Sequence, residues 1–308
     1  MTFAPVQTRS VHVPHLGGIY ASTYMPEPYD PSKQTLVLCH SWGTSVDLYR
    51  HQYQNENLKR LVNLLAIDLL GHGQTRTESE HFTYWDSAIM NLQVLDALNI
   101  TGRIFVLGTS QGGWQTVRMA LLAPERVAGI IPIGTSFDAE TARSIKLGCR
   151  DAKETLTPII EDLQCIKRTP SFQPSDALAE LIFKTGFNDI PSEDYDFWVE
   201  TLRRVWSGDD GRRRARMCVL NLRDRDGLHG RLFDIQCPVL RMHGTKDAIY
   251  SVRNAEDEMK LLPNSPDSKL LVVEGGAHYL NYSHHHEVDA ALIDFLSNQS
   301  LEFGPPPE

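Results

Sequence analysis

The segment Gly108-Thr109-Ser110-Gln111-Gly112-Gly113 follows directly on the apolar run Ile104-Phe105-Val106-Leu107. A buried strand that halts at Gly-x-Ser-x-Gly and restarts as a helix must turn within a few residues. Such a turn strains the serine backbone and exposes its hydroxyl at the apex. Glycines two positions to either side remove Cβ atoms that would clash across it. A helix starting at Gln111 aims free N–H groups at any anion that forms beside Ser110. The bland alternative is a glycine-bounded loop with an incidental serine, because short motifs recur by chance.

Two distant segments argue against accident. Residues 239–244 read as a strand ending in Thr245-Lys246-Asp247, and residues 270–274 as another ending in Gly275-Gly276-Ala277-His278. In an open parallel sheet the carboxyl ends of the strands share one edge, where such folds place their ligands. Ser110, Asp247 and His278 are therefore expected to converge, and their order along the chain is the one expected of hydrolases built on this plan. A serine hydroxyl needs a base as it attacks, a part His278 can take, with Asp247 fixing the imidazole tautomer.

With these residues in view the chain resembles the α/β-hydrolase fold family, specifically members with a helical cap inserted late in the sheet. The resemblance covers roughly residues 10–296. His40-Ser41-Trp42-Gly43, after the strand at 36–39, is similar to the family's His-Gly-x oxyanion turn. Asp68-Leu69-Leu70-Gly71-His72-Gly73-Gln74-Thr75 is similar to its Asp-x-x-Gly-x-Gly-x-Ser loop. The chain departs from the pattern at Ser41, where glycine is usual. The resemblance implies backbone N–H groups of Trp42 and Gln111 as the oxyanion hole. It also makes Asp138 a rival to Asp247, since some members supply the acid after the preceding strand; Glu274 is too close to His278 in its own strand. Ser110 excludes the dehalogenase and epoxide-hydrolase chemistries, which use a carboxylate at that position. The implied activity is a cofactor-independent serine hydrolase cleaving an ester, lactone or similar activated carbonyl of a small apolar molecule. Two alternatives remain open: a C–C bond hydrolase or cofactor-free dioxygenase using the same His/Asp pair, and a ligand receptor on a hydrolase scaffold.

The fold class expected is α/β, a mostly parallel twisted sheet flanked by helices with an inserted helical cap. Strands are predicted at 36–39, 64–69, 104–107 and 129–133, and an edge hairpin runs from Val11 and Val13 through Gly17-Gly18 to 19–24. Residues 83–100 carry Trp85, Ile89, Leu92, Leu95 and Leu98 at helical spacing, with Thr83 and Asp86 as a capping box. After Thr135 the alternation stops, and 137–232 is charged and helix-like, punctuated by Pro158, Pro170, Pro174 and Pro191. The expected organisation is a core of 1–136 and 233–297, a cap of 137–232 over the strand ends above Ser110, and a flexible tail at 298–308. Phe183, Phe187, Tyr195, Phe197, Trp198 and Trp206 are assigned mostly to the cap's own core. His40 and Trp114 are candidate substrate contacts, with His40, His72 and His243 read as turn-stabilising or pocket-lining.

Composition narrows the partners. A chain of 308 residues can bury a large core without staples, and its five cysteines lack disulfide or zinc spacing. The net charge of -9 disfavours nucleic acid. No apolar stretch is long enough to span a bilayer and no signal region opens the chain, so no membrane association and a cytoplasmic location are expected. Arg212-Arg213-Arg214-Ala215-Arg216 reads as a solvated helix face, and His284-His285-His286 as surface or capping residues rather than a metal tract. No phosphate loop or dinucleotide fingerprint is present, so no cofactor and no metal are implied. The partner expected is a small-molecule substrate; the oligomeric state is not legible.

Overall fold

The computed structural model describes residues 4–302. Nine strands form one sheet: β1 (Arg9–Val13), β2 (Ile19–Tyr24), β3 (Thr35–Cys39), β4 (Asn63–Ile67), β5 (Arg76–Thr77), β6 (Ile104–Thr109), β7 (Val127–Ile133), β8 (Leu240–Gly244) and β9 (Lys269–Val273). Their order is β1-β2-β4-β3-β6-β7-β8-β9, with β5 paired to β2. The β1–β2 hairpin joins β4 antiparallel, and every pairing from β4 to β9 is parallel. Residues of β3, β4, β6 and β7 are buried along their whole lengths, as a sheet covered on both faces requires. The chain leaves β3 for β4 on one side and returns to β6 on the other. That reversal opens a crevice at the carboxyl ends of β3 and β6, immediately above the turns that carry Trp42 and Ser110.

Several local expectations change. The strand expected to reach residue 69 ends at Ile67, because the Asp68 carboxylate folds the next segment around itself, accepting from the Val46 and Gln74 N–H groups at 2.9 Å each. The helix Tyr84–Ala97 has the Thr83–Asp86 capping box, but its buried face is rotated from the apolar stripe. Ala88, Asn91, Val94 and Leu95 face inward, and Asn91 Nδ2 donates to Gln115 Oε1 at 3.0 Å. A buried amide pair is invisible to a hydrophobic count.

Between β7 and β8 the chain forms helices Ala142–Lys146, Ala152–Leu163, Asp176–Phe187, Ser192–Trp206 and Gly208–Arg223. Pro191 stands at the amino cap of Ser192–Trp206, but Pro158 does not break its segment; it lies inside Ala152–Leu163. Burial of Leu156, Ile160 and Leu163 holds that helix together despite the missing N–H. Phe183, Phe187 and Trp198 pack as a buried aromatic group, the last two rings 5.8 Å apart. The arginine run is not a solvated face. Arg214 is buried with Nε 2.9 Å from Asp210 Oδ2, Arg213 Nη1 donates to the Ser79 carbonyl at 2.8 Å, and Arg212 Nη1 to the Leu163 carbonyl at 3.1 Å. The run knits its helix to two neighbours. The helix His285–Glu302 continues through the first residues of the expected tail, and 303–308 lie outside the described residues. Among the described residues no helix is long and apolar enough to cross a membrane.

A buried ionic cluster clamps the points where the helical segment leaves and rejoins the sheet. Arg241, on β8, donates to Glu258 Oε2 at 2.7 Å and lies 4.3 Å over the Phe137 ring. Glu258 Oε1 accepts from the Phe137 N–H and from His229 Nε2, each at 2.9 Å. Asp138 Oδ2 stands 3.2 Å from the other ring nitrogen of His229. The hydrogen bond to Glu258, with the Asp138 charge, raises the His229 pKa against the opposing pull of burial. A raised folded-state pKa stabilises below the unfolded value, about 6.5, and the contribution fades as pH rises through the folded value. His229→Gln should therefore lose more stability relative to the parent at pH 6 than at pH 9 in urea titrations; an equal loss at both would refute the linkage. Trp206 is fully buried and its Nε1 donates to the Gly71 carbonyl at 2.9 Å, tying the helices to the core. Trp206→Ala should cost about 3–5 kcal/mol by the same assay.

Candidate active site

Ser110 sits at φ 55° and ψ −118°, a region that L-residues populate only when their surroundings impose it. Those surroundings are backbone against backbone. A Cβ on Gly108 would stand 2.1 Å from the Gly112 carbonyl oxygen, and one on Gly112 would stand 1.9 Å from that of Cys39. The Ser110 N–H donates to the Ile133 carbonyl at 2.8 Å, and its carbonyl accepts from Gly113 at 2.8 Å. The turn is thus pinned to β3, to β7 and to its own helix, Gln111–Leu122.

His278 Nε2 lies 2.8 Å from Ser110 Oγ, and His278 Nδ1 lies 2.9 Å from Asp247 Oδ2. A carboxylate only accepts, so Nδ1 carries the proton and Nε2 is left to accept from the serine hydroxyl. Asp247 Oδ1 accepts from the Ile249 and Tyr250 N–H groups at 2.8 and 2.9 Å. Burial works to raise the Asp247 pKa, but the charge and hydrogen bond of His278, with smaller help from His243 and the Tyr250 N–H, hold it below the ordinary value. The carboxylate is therefore ionised at neutral pH. Asp138 faces His229 and makes no contact with His278 among the described residues.

The two buried histidines of the neighbouring loops shape the corner instead of entering it. His40 is fully buried; its Nδ1 donates to the Ser41 carbonyl at 2.8 Å and its Nε2 accepts from the Leu69 N–H at 3.0 Å, which fastens the Trp42 turn to the Asp68 loop. His72 Nδ1 donates to the Leu70 carbonyl at 2.9 Å, and its Nε2 lies 3.3 Å from Gln111 Nε2. Burial drives the pKa of His40 down to about 4 and that of His72 to about 3, so both rings are neutral. The Tyr84 hydroxyl donates to Gln111 Oε1 at 3.0 Å. Two side chains therefore fix the first residue of the helix, whose N–H has no carbonyl four residues earlier within the helix. The Tyr84 and His72 grip on Gln111 left no sequence signal, because neither residue lies in a recognisable spacing with it.

Ser110 and His278 line a cavity that is open to solvent on one side. Trp42, Tyr250 and Tyr279 line it from the core; Leu156, Ile182 and Leu222 line it from three helices of the segment between β7 and β8. The wall is mostly apolar, with Glu140, Arg150 and Arg225 as its charged residues. His40 and Trp114, suggested as substrate contacts, do not line this cavity. Trp114 is packed behind it, its Nε1 donating to the Ser136 carbonyl at 2.7 Å and its ring covered by Arg225 at 3.7 Å. The histidine run lies elsewhere, with His285 stacked on His51 at 4.0 Å. Among the described residues no group of three His, Cys, Asp or Glu side chains is arranged to hold a metal.

Comparison with known proteins bears on the fold. The family model for the alpha/beta hydrolase fold matches residues 34–147. A pimeloyl-[acyl-carrier protein] methyl ester esterase from Edwardsiella ictaluri is 27% identical over 285 residues, covering 87% of this chain and 95% of its own length. A 2-hydroxy-6-oxononadienedioate/2-hydroxy-6-oxononatrienedioate hydrolase from Pseudomonas putida is 26% identical over 213 residues, covering 67% and 66%. Among solved structures, a thermophilic esterase from Thermogutta terrifontis superposes with a TM-score of 0.74 at 18% identity, covering 96% of this chain and 99% of its own. An enol-lactonase from Burkholderia xenovorans does so at 0.72 and 18% identity, covering 93% and 99%. Shared topology and the matched segment, which contains both the Trp42 and the Ser110 turns, lead to one conclusion: the chain has the alpha/beta hydrolase fold.

Proposed function

We infer that the protein is a cofactor-independent serine hydrolase that cleaves an ester, lactone or similar activated carbonyl of a small, mainly apolar molecule. The observation that carries this reading is the unbroken relay from Ser110 Oγ through His278 to Asp247, at 2.8 and 2.9 Å, opening on an apolar cavity. His278 Nε2 takes the hydroxyl proton as Ser110 Oγ attacks the carbonyl carbon, and Asp247 stabilises the imidazolium that results. The N–H groups of Gln111 and Trp42 receive the oxyanion; one such donor is worth about 3 kcal/mol of barrier. His278 then returns the proton to the leaving alcohol. Water repeats the sequence on the acyl-enzyme and frees the acid. In this reading the helices of 137–232 act as a cap, restricting access to compact substrates.

The Pseudomonas putida relative favours a second reading, in which the same relay hydrolyses a C–C bond next to a ketone. Release of acid without alcohol from a vinylogous diketone would favour it over ester cleavage.

Ser110→Ala should abolish turnover of a p-nitrophenyl ester while leaving the thermal unfolding profile near the parent's; retained turnover overturns the assignment. Asp247→Asn should lower kcat on the order of a thousandfold or more, since an amide allows the wrong imidazole tautomer. Asp138→Asn should retain turnover, and the contrast between the two variants identifies the acid that serves His278.

A further inference from the structure

The cavity beside Ser110 has an unequal set of charges in its wall. Arg225 is buried, its guanidinium 3.7 Å over the Trp114 ring, and it is ion-paired with Glu140. Its Nη1 and Nη2 also donate to the Leu222 and Asp138 carbonyls at 2.7 and 3.1 Å, while its Nε is buried without a partner among the described residues. Glu140, the carboxylate of the lining, is thereby committed. Arg150 lines the same cavity, is only partly exposed, and its guanidinium has no hydrogen bond, ion pair or ring contact among the described residues. Its backbone is held in place: the Arg150 N–H donates to the Ile249 carbonyl at 2.8 Å, and Ile249 N–H reaches Asp247 Oδ1. The adjacent carboxylate, Asp151, faces away from this duty, accepting from the Lys153 and Glu154 N–H groups as the cap of Ala152–Leu163.

A cation set among Ala152, Leu156 and Ile249 is partly stripped of water, and one local carboxylate cannot neutralise two guanidinium groups. A ligand carboxylate would complete the set, and the guanidinium fork matches it in a two-point, charge-assisted contact. We propose that Arg150, supported by the positive charge of Arg225, recognises a carboxylate carried by the substrate, so that the cavity selects anionic esters over neutral ones of similar size. The proposal rests on the hydrolase reading for the bond that is cut, but recognition of the anion does not require turnover.

The test compares three compounds: p-nitrophenyl hexanoate, which is neutral; mono-p-nitrophenyl adipate, with the charge in the acyl part; and p-carboxyphenyl hexanoate, with it in the leaving group. Calorimetric binding to Ser110→Ala protein is measured first. One of the anionic esters should bind at least about tenfold more tightly than the neutral one, as expected of a single charge-assisted pair. Arg150→Gln in the same background should erase that ratio, and Arg150→Lys should keep part of it. Equal binding of all three by the Arg150 protein, or a uniform weakening of all three by Arg150→Gln, overturns the proposal. Turnover of the same compounds by protein with Ser110 intact separates the two claims. If none is hydrolysed but the binding ratio stands, the hydrolase reading fails and anion recognition survives; if all are hydrolysed without preference and bind alike, the reverse holds.

Discussion

The close approach of three backbone segments at the carboxyl end of β6 governs the rest of the molecule. Gly112 packs against the Cys39 carbonyl and Gly108 against the Gly112 carbonyl at distances that no side chain would permit. This contact forces Ser110 to a positive φ and fixes the start of its helix. It also brings β3 and the Trp42 turn alongside. Strain at one residue is tolerable because buried strands on both sides determine its position many times over. The hydroxyl consequently meets His278 without any rearrangement of the surrounding chain.

Much of this was legible in the sequence, for a physical reason. Strands buried on both faces need continuous apolar runs, and sharp turns between packed elements need glycine, so β3, β6, β7 and β8 and their turns were readable from residue type alone. The meeting of Ser110, Asp247 and His278 followed from the rule that parallel strands present their carboxyl ends together. Features built from buried polar groups were not legible. Asn91 with Gln115, and Arg241 with Glu258 and His229, join residues distant in sequence through hydrogen bonds that leave no periodic trace. Arg214, expected on a solvated face, pairs with Asp210 only one helical turn away, but its burial comes from tertiary packing that a run of charges does not show. Pro158 lies within a helix it would be expected to break, because burial of one helix face outweighs a single lost backbone bond.

The helices between β7 and β8 attach to the core by contacts of different character. One end is ionic, where Arg241 and Glu258 hold the segment's departure at Phe137 and His229 its return. The middle is apolar, through the aromatic group of Phe183, Phe187 and Trp198, with Phe187 in turn 4.8 Å from Tyr279 next to His278. Packing within the segment is thereby continuous with packing beside the base. The apolar cavity between the two parts is the space that this arrangement leaves unfilled.

The bond from Trp206 to Gly71 has a mechanical corollary. Gly71 stands between Leu70, whose carbonyl accepts a hydrogen bond from His72 Nδ1, and His72 itself, whose other nitrogen meets Gln111. Pulling the Ser192–Trp206 helix outward would tug on that loop and disturb the corner where an anion must be received. The helix Asp176–Phe187 is geared to the same corner from the other side, because its Gly186 carbonyl accepts from the Tyr279 N–H at 2.7 Å, next to His278.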